Sequence, residues 1–182
     1  MRVTRLLHLV RNRRPVHRFA DRAVPTDAVE AVLEAARYAP SAREAQPWRL
    51  VVVQEALARH RISAAAFNHP HARTAPVLIV CCARIHSHVS GSGRPSFPID
   101  LAAATQTMVV AAADLGLHTS WIYGFREPAV RAVVGIPEDV PIVALLGLGY
   151  PDGLNELPER RPREEVIAWD RWQSDDARSR LS

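Results

Sequence analysis

Residues 39–53 read APSAREAQPWRLVVV, a run of small and polar residues that leads directly into a run of apolar ones. The apolar end is rich in valine and predicts a strand over residues 50–54, because β-branched side chains pack well on a pleated surface. The loop before it supplies backbone amides, polar side chains and the indole of Trp48, which can form one wall of a cleft for a flat ligand. By itself, the same loop is also typical of a turn that only starts a strand.

Helices and strands are mixed along the rest of the chain. Hydrophobic periodicity predicts helices over residues 3–12, 26–36, 55–66, 99–117 and 128–134, and strands over residues 50–54, 77–83, 119–123 and 141–148. The helix over residues 99–117 is apolar nearly all round, which places it at the centre of the fold or in a subunit interface. Loops rather than short crossovers flank this helix, so we expect an α+β fold and not a doubly wound parallel sheet.

The length of 182 residues and the hydrophobic content of 48% predict one domain over residues 1–182. After residue 150 the chain turns to prolines, charges and two tryptophans, which cannot form a core alone, so we expect residues 150–182 to be an arm that packs on another surface. No apolar run approaches the ~20 residues of a membrane span, and the first apolar stretch is too short for a signal peptide. The sequence therefore predicts a cytoplasmic protein without a membrane partner.

All 23 basic residues are arginines, and the formal net charge is +4. Arginine suits a phosphate or a carboxylate because its planar fork donates two parallel hydrogen bonds. No helix or stripe concentrates these charges beside side chains that could read bases, which argues against a nucleic-acid partner. A basic nucleic-acid binder is the least favoured alternative.

Three other motifs carry little chemistry on inspection. Residues 147–153, GLGYPDG, lack the third glycine of a dinucleotide-binding turn. The histidine pairs in residues 69–71 and 86–88 lie in predicted loops without a third ligand, so we predict no metal site. Cys81 and Cys82 are adjacent in an apolar run and point to opposite faces of a strand, and we interpret them as buried residues without a nucleophilic role.

Twin arginines occur near both ends of the chain, in residues 13–17, RRPVH, and residues 158–162, PERRP. Prolines restrict the backbone beside each pair, so each can present a rigid set of guanidinium groups. Together they suit one polyanion, because charge-assisted hydrogen bonds are about twice as strong as neutral ones. Either pair alone is more typical of surface charge.

Taken in order, five motifs of the chain resemble those of the nitroreductase family, the FMN-dependent NAD(P)H oxidoreductases. They are RNRRPVHRFADRAVP, LEAARYAPSAREAQPWRLVVV, LGLHTSWIYGF, GIPEDVPIVALLGLGYPDG and ERRPREEVIAWDRW, and they cover nearly the whole chain. The resemblance implies a nitroreductase-like α+β fold with a central, mainly antiparallel sheet flanked by helices. It also implies an intertwined homodimer with FMN in two clefts at the subunit interface.

The same resemblance implies the residues that bind FMN. Those facing the phosphate and the ribityl chain are Arg13, Arg14, Pro15, His17, Arg160 and Arg161. Those facing the ring are Pro40, Ser41, Glu44 and Gln46 of one subunit and Ile122, Tyr123 and Gly124 of the other. Backbone amides near Tyr123 and Gly124 match the family position beside flavin N5 and O4, where a donor tunes the potential of the ring.

Two of these positions depart from the family pattern. The family commonly has serine where Pro15 stands and asparagine where Glu44 stands. An ionised carboxylate cannot donate to ring O2. Glu44 therefore accepts from ring N3 alone, or points away, or FMN binds more weakly than is usual.

The function implied is transfer of hydride from NAD(P)H to FMN, followed by reduction of a small organic acceptor such as a nitroaromatic or a quinone. Turnover would be ping-pong. No side chain is assigned as a catalytic acid or base, because the cofactor carries the chemistry. Two alternatives remain open: a flavin-dependent dehydrogenase, oxidase or flavin-fragmenting enzyme of the same fold, and a flavin-binding protein without turnover.

Overall fold

The computed structural model describes residues 4–14, 16–84, 89–91, 93–153 and 155–172. The helices of this part of the chain are α1 (Arg5–Asn12), α2 (Thr26–Arg37), α3 (Ala56–Ala65), α4 (Pro70–Thr74), α5 (Phe97–Asp114), α6 (Glu127–Val134) and α7 (Arg163–Val166). The strands are β1 (Trp48–Val53), β2 (Val77–Ala83), β3 (His118–Ile122) and β4 (Ile142–Gly149). Every predicted helix and strand is present, and the α+β class is confirmed.

The four strands form one sheet in the order β1-β2-β4-β3, and each neighbouring pair is antiparallel. The prediction of a mainly antiparallel central sheet is therefore confirmed. Strands β1 and β3 are its two edges. The start of β1 and the end of β3 lie at one end of the sheet, and the start of β3 lies at the other end.

Successive side chains of the buried strand β2 point to opposite faces of the sheet and pack in two hydrophobic cores, one on each face. Ile79 and Cys81 pack in the core that α2 and α5 cover, and Leu78 and Cys82 pack in the core that α3 and α6 cover. The two cysteines thus point to opposite faces, as predicted. Burial raises the pKa of the Cys81 thiol to about 12 and that of the Cys82 thiol to about 11, which leaves both groups protonated near neutral pH.

The glycines of β4 are required by packing. A Cβ at Gly149 would lie 2.6 Å from Pro76 Cδ and 3.0 Å from Phe19 Cδ1, and one at Gly147 would lie 3.1 Å from Phe19 Cε2. The segment that carries Phe19 therefore lies directly on the sheet. This close approach holds the segment that follows Arg13 and Arg14 against strand β4.

The structure differs from the predictions at several boundaries. Strand β1 begins at Trp48 and not at residue 50, and α5 runs over Phe97–Asp114 and not over residues 99–117. Helix α4 was not predicted, because a five-residue helix that starts with proline gives no periodic pattern. Its presence corrects the prediction that His71 lies in a loop, whereas His69 precedes the helix as its N-terminal cap residue. The pair His86 and His88 lies outside the described residues.

None of the residues 155–172 belongs to either core. All of these residues are exposed except the half-buried Asn155, and α7 buries no residue. The side chains of Trp169 and Trp172 are 74% and 92% exposed. The prediction of an arm that packs on a partner remains a prediction. In the described part of the chain, no helix has the length and apolar character to cross a membrane.

Candidate functional site

The two arginine segments meet at one place. Burial lowers the pKa of Arg13 below its usual value, and the positive charge of Arg160 lowers it further, so Arg160 lies within electrostatic range of Arg13. Arg14 Nη1 donates to the carbonyl oxygen of Asn155 at 2.6 Å, which ties the N-terminal segment to the start of the arm. These contacts link the N-terminal arginine segment to the start of the arm within one chain, and the role of Arg13, Arg14 and Arg160 in binding a phosphate stays a prediction.

His118, the first residue of β3, joins this cluster. Burial lowers its pKa first, and the charges of Arg13 and Arg14 lower it further. Among the described residues, His118 Nδ1 and Arg13 Nε are buried and have no hydrogen-bond partner. Both side chains line one pocket of about 130 Å³ between α1, α5 and the start of β3.

At the opposite end of β3 the chain exposes backbone groups and not charged side chains. The last residue pair of the β3–β4 ladder is Ile122 with Leu145, so Tyr123 and Gly124 lie beyond the sheet. Both are exposed, and a Cβ added to Gly124 would meet no atom within 4 Å. A flat ligand can therefore approach this backbone closely.

The arrangement along β3 fits a flavin mononucleotide. His118 and Tyr123 are about 16 Å apart, since a strand rises about 3.3 Å per residue. Arg13, Arg14 and Arg160 carry guanidinium groups, which can donate charge-assisted hydrogen bonds to a phosphate monoester.

The loop before β1 has an unusual backbone. Arg43, Glu44 and Gln46 have left-handed φ values of 53°, 55° and 45°, which cost about 1–2 kcal/mol for each non-glycine residue. Ser41 Oγ accepts from the Gln46 N–H at 2.9 Å, and Asp100 Oδ1 accepts from the Ala42 N–H at 2.9 Å. These bonds hold the loop in its strained shape and leave the Glu44 and Gln46 side chains exposed.

Within one chain this loop does not join the rest of the predicted site. Pro40, Ser41, Glu44 and Gln46 precede β1 at one edge of the sheet, whereas Tyr123 and Gly124 follow β3 at the other edge. Two strands separate them, or about 14 Å at about 4.8 Å per strand. This separation agrees with the prediction that the two walls of the cleft come from different subunits, which stays a prediction.

His17 has neighbours that the sequence did not indicate. Its ring lies 5.4 Å from that of His71, which in turn stacks on His69 at 4.3 Å. His71 Nδ1 donates to the Val16 carbonyl oxygen and so ties α4 to the arginine segment. Among the described residues, no group of histidines, cysteines and carboxylates has a geometry suited to a metal ion.

Two predicted residues cannot be placed in the cluster. Pro15 lies outside the described residues. Arg161 is exposed, and its predicted role stays a prediction.

Sequence reasoning missed His118 and Asp100. His118 follows Gly116 and Leu117 at the start of a strand, and no local pattern marks it. Asp100 lies in the first turn of α5, where an acidic residue is ordinary. Its side chain is nevertheless 5% exposed, and its Oδ2 has no partner among the described residues.

The chain is an α+β protein with one antiparallel sheet and a cluster of arginines near the start of its edge strand β3. The sequence model of the nitroreductase family matches residues 10–70 and 54–150. The chain belongs to the nitroreductase family.

Named relatives and a solved structure agree with this assignment. An NADH dehydrogenase of Thermus thermophilus is 30% identical, over 86% of this chain and 92% of its own. A putative NADH dehydrogenase/NAD(P)H nitroreductase of Archaeoglobus fulgidus is 31% identical, over 86% of this chain and 91% of its own. An FMN reductase (NADPH) of Bacillus subtilis is 23% identical, over 88% of this chain and 71% of its own. The crystal structure of a nitroreductase family protein from Clostridium difficile superposes with a TM-score of 0.83 at 27% identity, over 93% of this chain and 100% of that one.

Proposed function

We propose that this chain is an FMN-dependent oxidoreductase that takes hydride from NAD(P)H and reduces a small organic acceptor in the same cleft. The observation that carries the proposal is the difference between the two ends of β3. Arginine charges act on His118 at the start of the strand, and the exposed backbone of Tyr123 and Gly124 follows its end. The printed names of the relatives, which include an NADH dehydrogenase and an FMN reductase, support the same chemistry.

The chain's own residues would bind and orient the cofactor. Arg13, Arg14 and Arg160 hold the phosphate, and the backbone of Tyr123 and Gly124 faces the reactive side of the ring. When bound, FMN supplies hydride acceptance and electron transfer. The protein supplies orientation and electrostatics.

We further propose that the active form is a cytoplasmic homodimer. The strained loop of one subunit would complete the cleft beside Tyr123 and Gly124 of the other. The separation of the loop from β3 in a single chain supports this, as do the exposed tryptophans of the arm. Physiological acceptor and nucleotide preference are set by the residues that cover the cleft.

Anaerobic mixing of the FMN-loaded protein with NADH or NADPH tests the function. We expect rapid bleaching of the flavin colour, and recovery of the colour when a quinone or a nitroaromatic is added. Arg14→Gln should lose FMN, whereas Arg37→Gln should keep it, because Arg37 lies on α2 paired with Glu34. A flavin that NAD(P)H leaves oxidised would contradict the proposal and favour the oxidative alternative.

A further inference from the structure

Asp100 is a buried carboxylate beside the loop that precedes β1. It is 5% exposed and lies in the first turn of α5, where its N–H donates to the Ser96 carbonyl oxygen at 3.0 Å. Its Oδ1 accepts from the Ala42 N–H at 2.9 Å, and its Oδ2 is buried and has no hydrogen-bond partner among the described residues. Burial of a carboxylate with one oxygen unpaired costs free energy. The stability of the core therefore does not explain an aspartate at this position.

Helix α5 gives Asp100 a fixed position. Leu101, the next residue, is 1% exposed and belongs to the core that α2 and α5 cover. Thr105 follows one turn later and is also fully buried. A side chain on a packed helix holds its geometry more precisely than a side chain on a loop does. Asp100 can therefore act as a fixed anchor for the loop before β1.

The bond from Asp100 lies at the point where the backbone of this loop turns. The Ala42 N–H donates to Asp100, and the Ala42 carbonyl oxygen accepts from the Ala45 N–H at 3.1 Å. The next two residues, Arg43 and Glu44, have the left-handed φ values and are exposed. A strained backbone of this kind persists only where its surroundings hold it. The Asp100 bond therefore fixes the direction that the chain takes at Arg43 and Glu44.

We propose that Asp100 is a positioning residue for the flavin ring: through the Ala42 amide it holds the loop in the shape that binds the ring. The proposal rests on the proposed function, in which this loop is one wall of the cleft. The carboxylate of Asp100 is shielded from solvent, so it acts through the loop and does not touch the ring. Its removal should weaken binding of the ring whether or not the ligand carries a phosphate.

Limited proteolysis of the flavin-free, full-length protein tests the hold on the loop. Trypsin cleaves after arginine, and Arg43 is exposed on the loop. We expect Asp100→Ala to raise the rate of cleavage after Arg43 by about fivefold or more, because the loop opens locally. Asp100→Asn keeps an acceptor oxygen for the Ala42 N–H and should restore most of the protection. Thr105→Val, which removes a buried hydroxyl of the same helix that bonds to Leu101, is the control and should leave this rate unchanged.

Equilibrium binding of FMN and riboflavin to the same variants tests the effect on the ring. We expect Asp100→Ala to weaken both ligands by the same factor, about tenfold, because the loop contacts the ring that they share. Asp100→Asn should recover most of the affinity for both. Thr105→Val should bind both ligands as the unsubstituted protein does.

A further readout uses the unsubstituted, flavin-free protein and holds even if the Asp100 variants fail to fold. We expect the Ala42 amide to be protected in hydrogen exchange followed by NMR. An Ala42 amide that exchanges as fast as one in an unstructured peptide would overturn the proposal. So would normal flavin binding by Asp100→Ala, weakening of FMN alone, or equal weakening by Thr105→Val. If Asp100→Ala opens the loop but the unsubstituted protein binds no flavin, the anchoring of the loop stands and the proposed function fails.

Discussion

Single residues explain how the site is held together. Gly149 pairs with His118 in the β3–β4 ladder and lies under Phe19 and Pro76. The absence of a side chain there lets the segment after the arginines lie flat on the sheet. A residue that looks like part of a nucleotide-binding glycine motif is therefore required by packing.

Substitution of Gly149 tests this packing. Gly149→Ala forces a Cβ to within 2.6 Å of the rigid Pro76 ring, and we expect the free energy of unfolding to fall by about 1–3 kcal/mol. Gly91→Ala is the matched control, since a Cβ there meets nothing within 4 Å, and should change stability by less than about 0.5 kcal/mol. Urea titration followed by tryptophan fluorescence measures both, and equal effects would contradict the account.

The cysteines give a second prediction at this scale. With pKa values of about 12 for Cys81 and about 11 for Cys82, neither thiol forms a thiolate in the native state near neutral pH. We expect no reaction with an aromatic disulfide reagent in buffer and reaction of both thiols after denaturation in guanidinium chloride. Fast labelling of either thiol in the folded protein would show that the β2 strand is not buried as described.

At the residue scale, the sequence indicated which side-chain types could bind a ligand, but it did not indicate which residues the fold buries or brings into contact. Arg13, Arg14 and Arg160 could be proposed as ligand-binding residues because twin arginines beside prolines form a pattern that is visible in the sequence, and their role stays a prediction. His118 and Asp100 could not be, because their importance comes from burial and from neighbours far along the chain. His17 was predicted from the family resemblance, but its stacking with His71 arises from α4, which no pattern announced.

At the scale of elements, the loop before β1 combines strain with specific support. Three of its residues have left-handed backbones, and two side-chain acceptors, Ser41 Oγ and Asp100 Oδ1, hold its amides. Strain that the surrounding structure maintains is common where a ligand must be met. The positive φ values of the opening motif are consistent with its predicted role as one wall of a ligand cleft, which stays a prediction.

Glycine substitutions separate strain from ordinary flexibility. Arg43→Gly removes the left-handed penalty at an exposed position, and we expect stability to stay level or to rise by up to about 1 kcal/mol. Ala45→Gly, at a right-handed neighbour with φ −69°, should lower stability by about 0.5–1 kcal/mol. Thermal unfolding of the two variants compares them directly. A larger loss for Arg43→Gly than for Ala45→Gly would contradict the assignment of strain.

The presence of most helices and strands could be predicted from the sequence, whereas the residues at which they begin and end could not. Periodicity identified five helices and four strands, because amphipathic spacing survives in the sequence. Helix α5 ends at Asp114, earlier than predicted, because Gly116 has a φ of 71° and Leu117 already belongs to the core beneath β3. Helices α4 and α7 are too short for a periodic signal.

At the scale of the whole molecule, the described residues of the arm are almost all exposed. An arm with two tryptophans exposed to 74% and 92% buries little apolar surface in a single chain. A homodimer in which the arm packs on the partner would bury these rings and bring the strained loop to the end of β3. The apolar helix over residues 99–117 and the arm predicted a subunit contact from the sequence itself, whereas the two-subunit cleft was predicted through the family resemblance.

Light scattering tests the dimer. We expect the full chain to have twice the mass of one subunit at micromolar concentration. The double variant Trp169→Ser and Trp172→Ser should dissociate more readily, whereas Leu57→Ser, at an exposed site on α3, should not. A full chain that stays monomeric when FMN is present would contradict the two-subunit cleft.

The central claim is that arginines from both ends of one chain hold the phosphate of an FMN whose ring reaches the end of β3. Equilibrium binding of FMN to the flavin-free protein, measured by quenching of flavin fluorescence, tests it most directly. We predict saturation at one FMN per chain, with riboflavin binding much more weakly because it lacks the phosphate. Failure of FMN to bind, or equal affinity for FMN and riboflavin, would contradict the account.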